Sequence, residues 1–119
     1  MKVVKMAEVP KEPHRTPLFT GPDVTSQRLT PESKDYSMNI ISFGRGVRNK
    51  LHTHECDQVL LVTAGKGIVA TEETEHAVTE GDVIFIPAGE KHWHGATKDS
   101  AFAHISLTRP GSKTTQLEK

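Results

Sequence analysis

Residues 46–65 read GVRNKLHTHECDQVLLVTAG and hold two histidines, His52 and His54, separated by one residue. In an extended strand, residues i and i+2 project from the same face, so the two imidazoles would lie side by side. Neutral imidazole is a common ligand of divalent transition metals. Gln58 opens the apolar run Val59–Val62, and its amide oxygen could face the same ion. The stretch therefore predicts part of a metal site carried on two short strands.

A second stretch, residues 81–95, reads GDVIFIPAGEKHWHG. Its segment Val83–Ile86 is apolar and rich in strand-forming residues, and Pro87-Ala88-Gly89 is a turn signal. His92 follows that turn. The pattern predicts a strand, a turn and a third histidine that could join the first two.

Together the two stretches resemble the two motifs of the cupin superfamily. Positions of the first motif are occupied by Gly46, His52, His54, Gln58 and Gly65, with Gln58 where most cupins carry glutamate. Positions of the second are occupied by Gly81, Pro87, Gly89 and His92, with Ala96 where an asparagine is usual. The resemblance implies an all-β, single-domain jelly-roll β-barrel.

Composition limits the alternatives. A chain of 119 residues makes one domain. Lys+Arg and Asp+Glu are 15 each, which favours neither nucleic acid nor an anionic membrane as a partner. No apolar run is long enough to span a bilayer, and the N-terminus lacks the apolar core of a signal peptide. Cys56 is the single cysteine, so no internal disulfide can form, and we expect a cytoplasmic protein.

The chain divides into three parts by composition. Residues 1–35 are punctuated by prolines and predict an irregular arm packed on the barrel; residues 36–110 predict the barrel, and 111–119 a polar, frayed tail. We read Gly65-Lys66-Gly67 as a tight hairpin turn. Short strands with glycine turns indicate a β-sandwich or barrel. The predicted strands are Ser37–Phe43, Leu51–His54, Gln58–Ala64, Ile68–Thr71, Thr74–Val78, Val83–Ile86, Lys91–Ala96 and Ala101–Thr108.

The apolar content is low, at 34%. A small core of this kind is often completed by a second chain, and related cupins commonly pair. We therefore expect a homodimer, with the arm of residues 1–35 packed along or across the partner barrel.

The candidate metal ligands are His52, His54, Gln58 and His92. The alternative is that the histidines fell by chance on a surface strand; the two motifs in register favour the metal site. One divalent transition metal per chain is expected, and three imidazoles suit manganese, zinc, iron, nickel or copper. An amide cancels none of the ion's charge, which favours Lewis-acid chemistry over iron-based oxygen activation. The alternative for Gln58 is a conservative replacement without functional meaning.

Other histidines surround these ligands in the sequence. His94 shares the face of His92 in an extended strand and could line the cavity or replace His92 as a ligand, while Trp93 should point away and pack. In the last predicted strand, Phe102, His104 and Ser106 alternate with a second face, and only one of the two faces can line a pocket. His104 is either a general base or a structural histidine. We read Cys56 as space-filling and His14 and His76 as surface residues.

A closer resemblance is to small bacterial manganese cupins with hydroxynitrile lyase activity. It is carried by His52-Thr53-His54, by Gln58, by Pro87–Ala96 and by His104. It implies manganese as the first choice of metal, the four ligands named above, and His104 as the catalytic base. Thr108 stands where those enzymes carry a glutamine. The expected pocket residues are His94, Phe102, Ser106 and Thr108.

The sequence thus predicts a metal-dependent lyase that acts on a small organic molecule by proton transfer and carbon–carbon bond cleavage. Two alternatives remain open. One is an iron-dependent dioxygenase with the same ligands, and the other is a cupin that binds a small ligand without converting it.

Overall fold

The computed structural model describes residues 1–119, and its regular secondary structure is almost entirely β-strand. Its one helical element is a 3-10 turn over Met6–Glu8. The strands are β1 (Glu12–Pro13), β2 (Val24–Arg28), β3 (Ser37–Phe43), β4 (His52–His54), β5 (Gln58–Ala70), β6 (Glu75–Thr79), β7 (Val83–Ile86), β8 (Trp93–Ala96), β9 (Phe102–Thr108) and β10 (Thr114–Gln116). This is the predicted all-β jelly-roll barrel. The chain forms no helix with the length and apolar character of a membrane-spanning segment.

Two sets of antiparallel strands face each other, and β5 belongs to both. The first half of β5 pairs with β7 and with β9, which continues the sheet through β3, β2 and β1. Its second half pairs with β6 and β8. The short sheet of β4 and β10 is joined to the second set by backbone bridges from Arg48 to Gly95 and from His52 to His92.

The segment Gly65-Lys66-Gly67 is a bend within one long strand, so the predicted hairpin is wrong. The register shifts between Val62 and Ala64, and Gly65 has a φ of 75°. A Cβ on Gly65 would lie 1.9 Å from the carbonyl oxygen of Ala101, and one on Gly67 would lie 2.6 Å from the ring of Phe102. Glycine is required here because β5 passes closely over β9 as it moves from one set of strands to the other.

The barrel interior is apolar at one end. Its main cluster consists of Val24, Phe43, Leu60, Val62, Val69, Val78, Ile86, Ala96 and Phe102. Over the first half of β5 the buried positions alternate, and Gln58 continues the same face as Leu60 and Val62 toward the other end. The period-2 geometry of the strand therefore sets Gln58 at the boundary between the apolar core and a polar cavity.

The first 35 residues hold more regular structure than predicted. β2 lies within them, pairs with β3 and buries Val24 in the main cluster. Leu29 packs with Ile40 and Ile105 on the outer face of the barrel. Gln27 donates to the carbonyls of Met6 and Val9, which ties the start of the chain to β2. The arm thus packs on its own barrel.

The C-terminal tail is also ordered, contrary to prediction. β10 pairs with β4 in antiparallel register, with Thr114 opposite His54 and Gln116 opposite His52. The tail therefore lies beside two of the candidate metal ligands.

Candidate metal centre

The candidate ligands come from three neighbouring pieces of backbone. β4 carries His52 and His54, Gln58 opens β5, and His92 lies just before β8. His52 and His92 exchange two backbone hydrogen bonds of 3.0 Å, which holds their side chains together. Ring nitrogens of His52, His54 and His92 all lie within 4.8 Å of one another. The three histidines that the motifs single out therefore form a group that could hold a metal ion.

Each of these rings has its Nδ1 occupied by an oxygen acceptor. Nδ1 of His52 contacts the carbonyl of Lys50, and Nδ1 of His92 lies 2.8 Å from the carbonyl of Glu90. Nδ1 of His54 lies 2.9 Å from the hydroxyl of Thr114. An Nδ1–H that donates to oxygen leaves the Nε2 lone pair free, which is the usual arrangement of metal-bound histidine.

The free ligand atoms have no partners within the protein. Nε2 of His54, Nε2 of His92 and Oε1 of Gln58 are buried without any hydrogen bond. The Gln58 amide is oriented by its other end, since Nε2 donates to the hydroxyl of Ser106 at 2.9 Å. Buried polar atoms are rarely left unpaired, because each costs free energy. Three imidazole nitrogens and one amide oxygen therefore fit a divalent transition metal ion, whose identity this donor set leaves open.

The histidines of the site are held neutral by burial. Desolvation lowers the pKa of His52, His54 and His104 to about 4, and for His52 and His54 repulsion between neighbouring histidine rings, when these take up protons, lowers it further. The pKa of His92 is lowered and that of His94 lies well below its ordinary value, again chiefly because of desolvation. At neutral pH all five rings therefore keep a lone pair for a metal ion or a proton.

These depressed pKa values make the stability of the metal-free protein depend on pH. The unfolded chain takes up protons below pH 6.5, whereas His52, His54 and His104 resist protonation down to about pH 4 when folded. We expect the free energy of unfolding to fall as the pH drops from 6.5 to 4 and to be fully present above 6.5. Denaturant titrations after metal removal, at pH 7 and pH 5, measure this change.

Two variants test this pH dependence, with His104→Gln as the test and His76→Gln as the matched control. His104→Gln removes one buried titrating ring and should reduce the stability difference between pH 7 and pH 5 by at most about 2 kcal/mol. His76 is exposed, and its replacement should leave the dependence unchanged. Equal stability of the wild-type protein at both pH values would contradict the assignment of neutral buried histidines.

A cavity of about 200 Å³ opens beside the ligands. Its size lies below the range of roughly 300–1,000 Å³ that is typical for drug-sized ligands, so it suits a small molecule. Of the predicted pocket residues, His94, Ser106 and Thr108 line the cavity together with His104. Phe102 does not line it, because that ring packs deeper in the apolar cluster. The face of β9 that carries His104 is thus the inner one.

His104 is fully buried and touches His94. Its Nε2 lies 3.2 Å from Nδ1 of His94, while its Nδ1 is buried without a partner. His94 is clamped by Asn49, whose Oδ1 accepts the backbone N–H of His94 at 2.8 Å. Nδ2 of Asn49 lies 3.4 and 3.2 Å from the two ring nitrogens, so the amide packs against the His94 ring. The His94 and His104 rings are therefore in contact, and Asn49 fixes the position of His94.

Three residues that line the cavity were not predicted to do so from the sequence. His14, predicted at the surface, is half-buried, lines the cavity, and packs edge-on against Phe19 at 5.2 Å between ring centroids. Asn49 and Thr114 also line it. Their local sequences carry no turn, motif or periodic signal, because their roles arise from contacts with residues far along the chain.

The remaining histidine and the cysteine lie outside the group. His76 is exposed, as expected. Cys56 is partly buried, and its sulfur accepts the backbone N–H of Arg109 at 3.4 Å. Trp93 is half-buried, with the guanidinium carbon of Arg48 4.6 Å from the ring centroid, so it packs as predicted.

The profile of the family described as "Cupin domain" matches residues 40–107, which is more than half of the chain. The chain therefore belongs to the cupin family. It is similar to an (R)-mandelonitrile lyase from Granulicella tundricola, with 40% identity over 68 residues that make up 56% of this chain and 52% of that protein. The match thus spans about half the length of that curated relative.

Two further similarities were found. The transcriptional activator RhaR of Mannheimia succiniciproducens is 36% identical over 60 residues, 50% of this chain and 21% of that protein. A cupin-like protein from Thermotoga maritima superposes with a TM-score of 0.82 at 27% identity, over 90% of this chain and 84% of that one. The similarity to the Thermotoga maritima structure agrees with the jelly-roll fold.

Proposed function

We propose that this cupin is a metal-dependent lyase of the hydroxynitrile lyase type, which cleaves a small cyanohydrin into a carbonyl compound and hydrogen cyanide. The observation that carries the proposal is the set of unpartnered ligand atoms on His54, Gln58 and His92 beside a cavity that also holds neutral His104. The similarity to an (R)-mandelonitrile lyase supports the choice of substrate class. Manganese is our first choice of metal, followed by zinc, iron and nickel.

The residues have separate roles in this proposal. His52, His54, Gln58 and His92 would hold the ion through three Nε2 atoms and Oε1. A divalent cation there supplies Lewis-acid polarisation of a substrate oxygen. Ser106 keeps the Gln58 oxygen turned toward the ligand group by accepting from its amide nitrogen.

His104 moves the proton. Its Nδ1 is the nitrogen left without a partner, so we assign the lone pair to Nδ1 and a donor role to Nε2, toward His94. Nδ1 accepts the proton of the cyanohydrin hydroxyl as the bond between the carbinol and nitrile carbons breaks. The electron pair of that bond leaves with cyanide, the carbonyl group forms, and cyanide takes the proton from His104 to give hydrogen cyanide. His104 is neutral at neutral pH, so it has the lone pair that this step needs.

The direct test combines metal analysis with an assay on protein purified without an affinity tag. We expect near-stoichiometric manganese or zinc and release of benzaldehyde and cyanide from mandelonitrile. Bound iron with oxygen uptake would favour the dioxygenase alternative. Absence of cleavage over a broad panel of cyanohydrins would overturn the lyase proposal.

A second candidate is a cupin that binds a small ligand without converting it. The similarity to part of a transcriptional activator favours this alternative. Tight binding of a small molecule in the cavity without turnover, measured by calorimetry and product analysis, would support it over the lyase.

We also propose that a second copy of this chain covers the exposed apolar face of β5 and β7. Leu61 lies opposite Val83 and Val59 opposite Phe85 in these paired strands, and Val83 and Phe85 are 64% and 61% exposed. The arm packs on Ile40 and Ile105 of the neighbouring strands through Val4, Val9 and Leu29, while Val83 and Phe85 of β7 stay exposed. Exposed apolar faces of this kind commonly mark protein interfaces.

A cytoplasmic location stays a prediction from the single cysteine.

Light scattering should therefore give twice the chain mass of 13.1 kDa at micromolar concentration. Phe85→Lys puts a charge in the centre of the apolar face and should shift the protein to the monomer mass, because burying an unpaired charge is costly. Ala77→Lys, at an exposed position of β6, should leave the mass unchanged. A monomeric wild-type protein would refute the homodimer.

A further inference from the structure

The C-terminal strand β10 is the outer neighbour of the strand that carries two metal ligands. β4 lies between β10 on one side and the backbone of His92 on the other. Thr114 is opposite His54 in this pairing. A short strand such as β4 depends on both neighbours for its position, so the tail helps to fix the ligands.

His54 receives its support differently from the other two histidines. His52 and His92 contact carbonyl oxygens two residues earlier in their own segments, at Lys50 and Glu90. Nδ1 of His54 instead contacts the side-chain hydroxyl of Thr114, 60 residues later in the chain, at 2.9 Å. The buried Nε2 on the opposite edge of the same ring has no partner. The hydroxyl therefore fixes the rotation of this ring, and where it accepts an Nδ1–H the Nε2 lone pair is left for an ion.

The tail is fastened on both sides of Thr114. Before it, Lys113 and Glu55 exchange hydrogen bonds, with the Lys113 N–H 2.7 Å from the Glu55 carboxylate. After it, Glu118 binds the Arg48 guanidinium with both carboxylate oxygens, at 2.8 and 3.2 Å. The Leu51 N–H also donates to Glu118 at 2.8 Å. These contacts keep the Thr114 hydroxyl in reach of His54 at a position that is otherwise exposed.

We propose that Thr114 is a positioning residue of the metal centre, which accepts the Nδ1–H of His54 and so directs its Nε2 to the ion. The inference rests on the proposed metal site and adds a member that lies outside both cupin motifs. Partners of this kind raise ligand basicity and hold ring orientation, and their loss costs about 10–100-fold in metal affinity. Because Thr114 is exposed and water can replace its hydroxyl, we expect a loss of affinity at the lower end of this range.

The test measures the Kd for Mn²⁺ and Zn²⁺ by competition with a chelating dye. Thr114→Val keeps the shape and strand preference of the residue but removes the acceptor, and it should weaken binding by about 10-fold. Thr114→Ser keeps the hydroxyl and should restore affinity close to that of the wild type. Thr115→Val, the adjacent exposed position paired with Thr53, should have no effect.

Stability measurements on the metal-free proteins separate positioning from folding. Thr114→Val and Thr115→Val should unfold at the same denaturant concentration, since neither side chain is buried. Wild-type affinity in Thr114→Val would overturn the positioning role while leaving the metal site intact. If the wild-type protein binds neither ion, the proposed metal site fails and this inference fails with it.

Discussion

Replacement of His52 by alanine should abolish stoichiometric metal binding. His52 is 1% exposed and shares its ligand group with His54 and His92. A lost ligand should matter more than a lost outer partner, so we expect affinity to fall by more than about 100-fold. Metal content after purification and the Kd for Mn²⁺ measure the effect. At 100 times its Kd, a bound ion stabilises the folded protein by about 2.7 kcal/mol, and this gain should vanish in the variant.

His92→Ala provides an independent second variant in case His52→Ala folds poorly. It should show the same loss, because three ligands hold the ion less well than four. His76→Ala is the matched control, since it removes an exposed histidine outside the group. Full metal content in a well-folded His52→Ala or His92→Ala protein would show that the ion binds elsewhere.

Replacement of His104 should lower cyanohydrin cleavage by roughly 10²–10⁴-fold without loss of metal. This is the usual contribution of a general acid–base residue. His104→Gln preserves bulk in a side chain that is 0% exposed, which limits effects on folding. The readouts are kcat/KM for mandelonitrile and metal content on the same preparation. Because burial lowers the pKa of His104 to about 4, the base is neutral above that value and wild-type activity should rise with pH only below about pH 6.

His94→Ala cannot serve as an unaffected control for this experiment. Nδ1 of His94 lies 3.2 Å from Nε2 of His104, so removal of His94 also changes the surroundings of the base. His76→Ala is the better control and should keep wild-type activity. Cleavage at the wild-type rate by a metal-loaded His104→Gln protein would make His104 structural and remove the base from the lyase proposal.

Most strands of residues 36–110 and the ligand group were predictable from the sequence because each depends on local patterns, whereas β1, β2 and β10 were not predicted. Ser37–Phe43 and Val83–Ile86 form strands with the predicted bounds. Gly65 and Gly67 were misread because a hairpin and a bent strand make the same local demand for glycine. The close approach of Ala101 and Phe102 distinguishes the bent strand from a hairpin, and these residues lie more than 30 positions later in the chain.

The support around the site could not be predicted in the same way. Thr114 contacts His54 across 60 residues, and Asn49 contacts His94 across 45. The tail around Thr114 is polar and reads as frayed until its pairing with β4 is known. The role of such a short polar segment depends on residues far away in the sequence. No local periodicity or turn signal can therefore predict it.

The passage of β5 through both sets of strands has a consequence for the motions of the barrel. Peeling one set away would require β5 to lose hydrogen bonds to β9 and β7 or to β6 and β8. Because both sets depend on this one strand, we expect them to open together rather than one at a time. We then expect small molecules to enter on the side of the cavity lined by half-buried His14 and exposed Thr114.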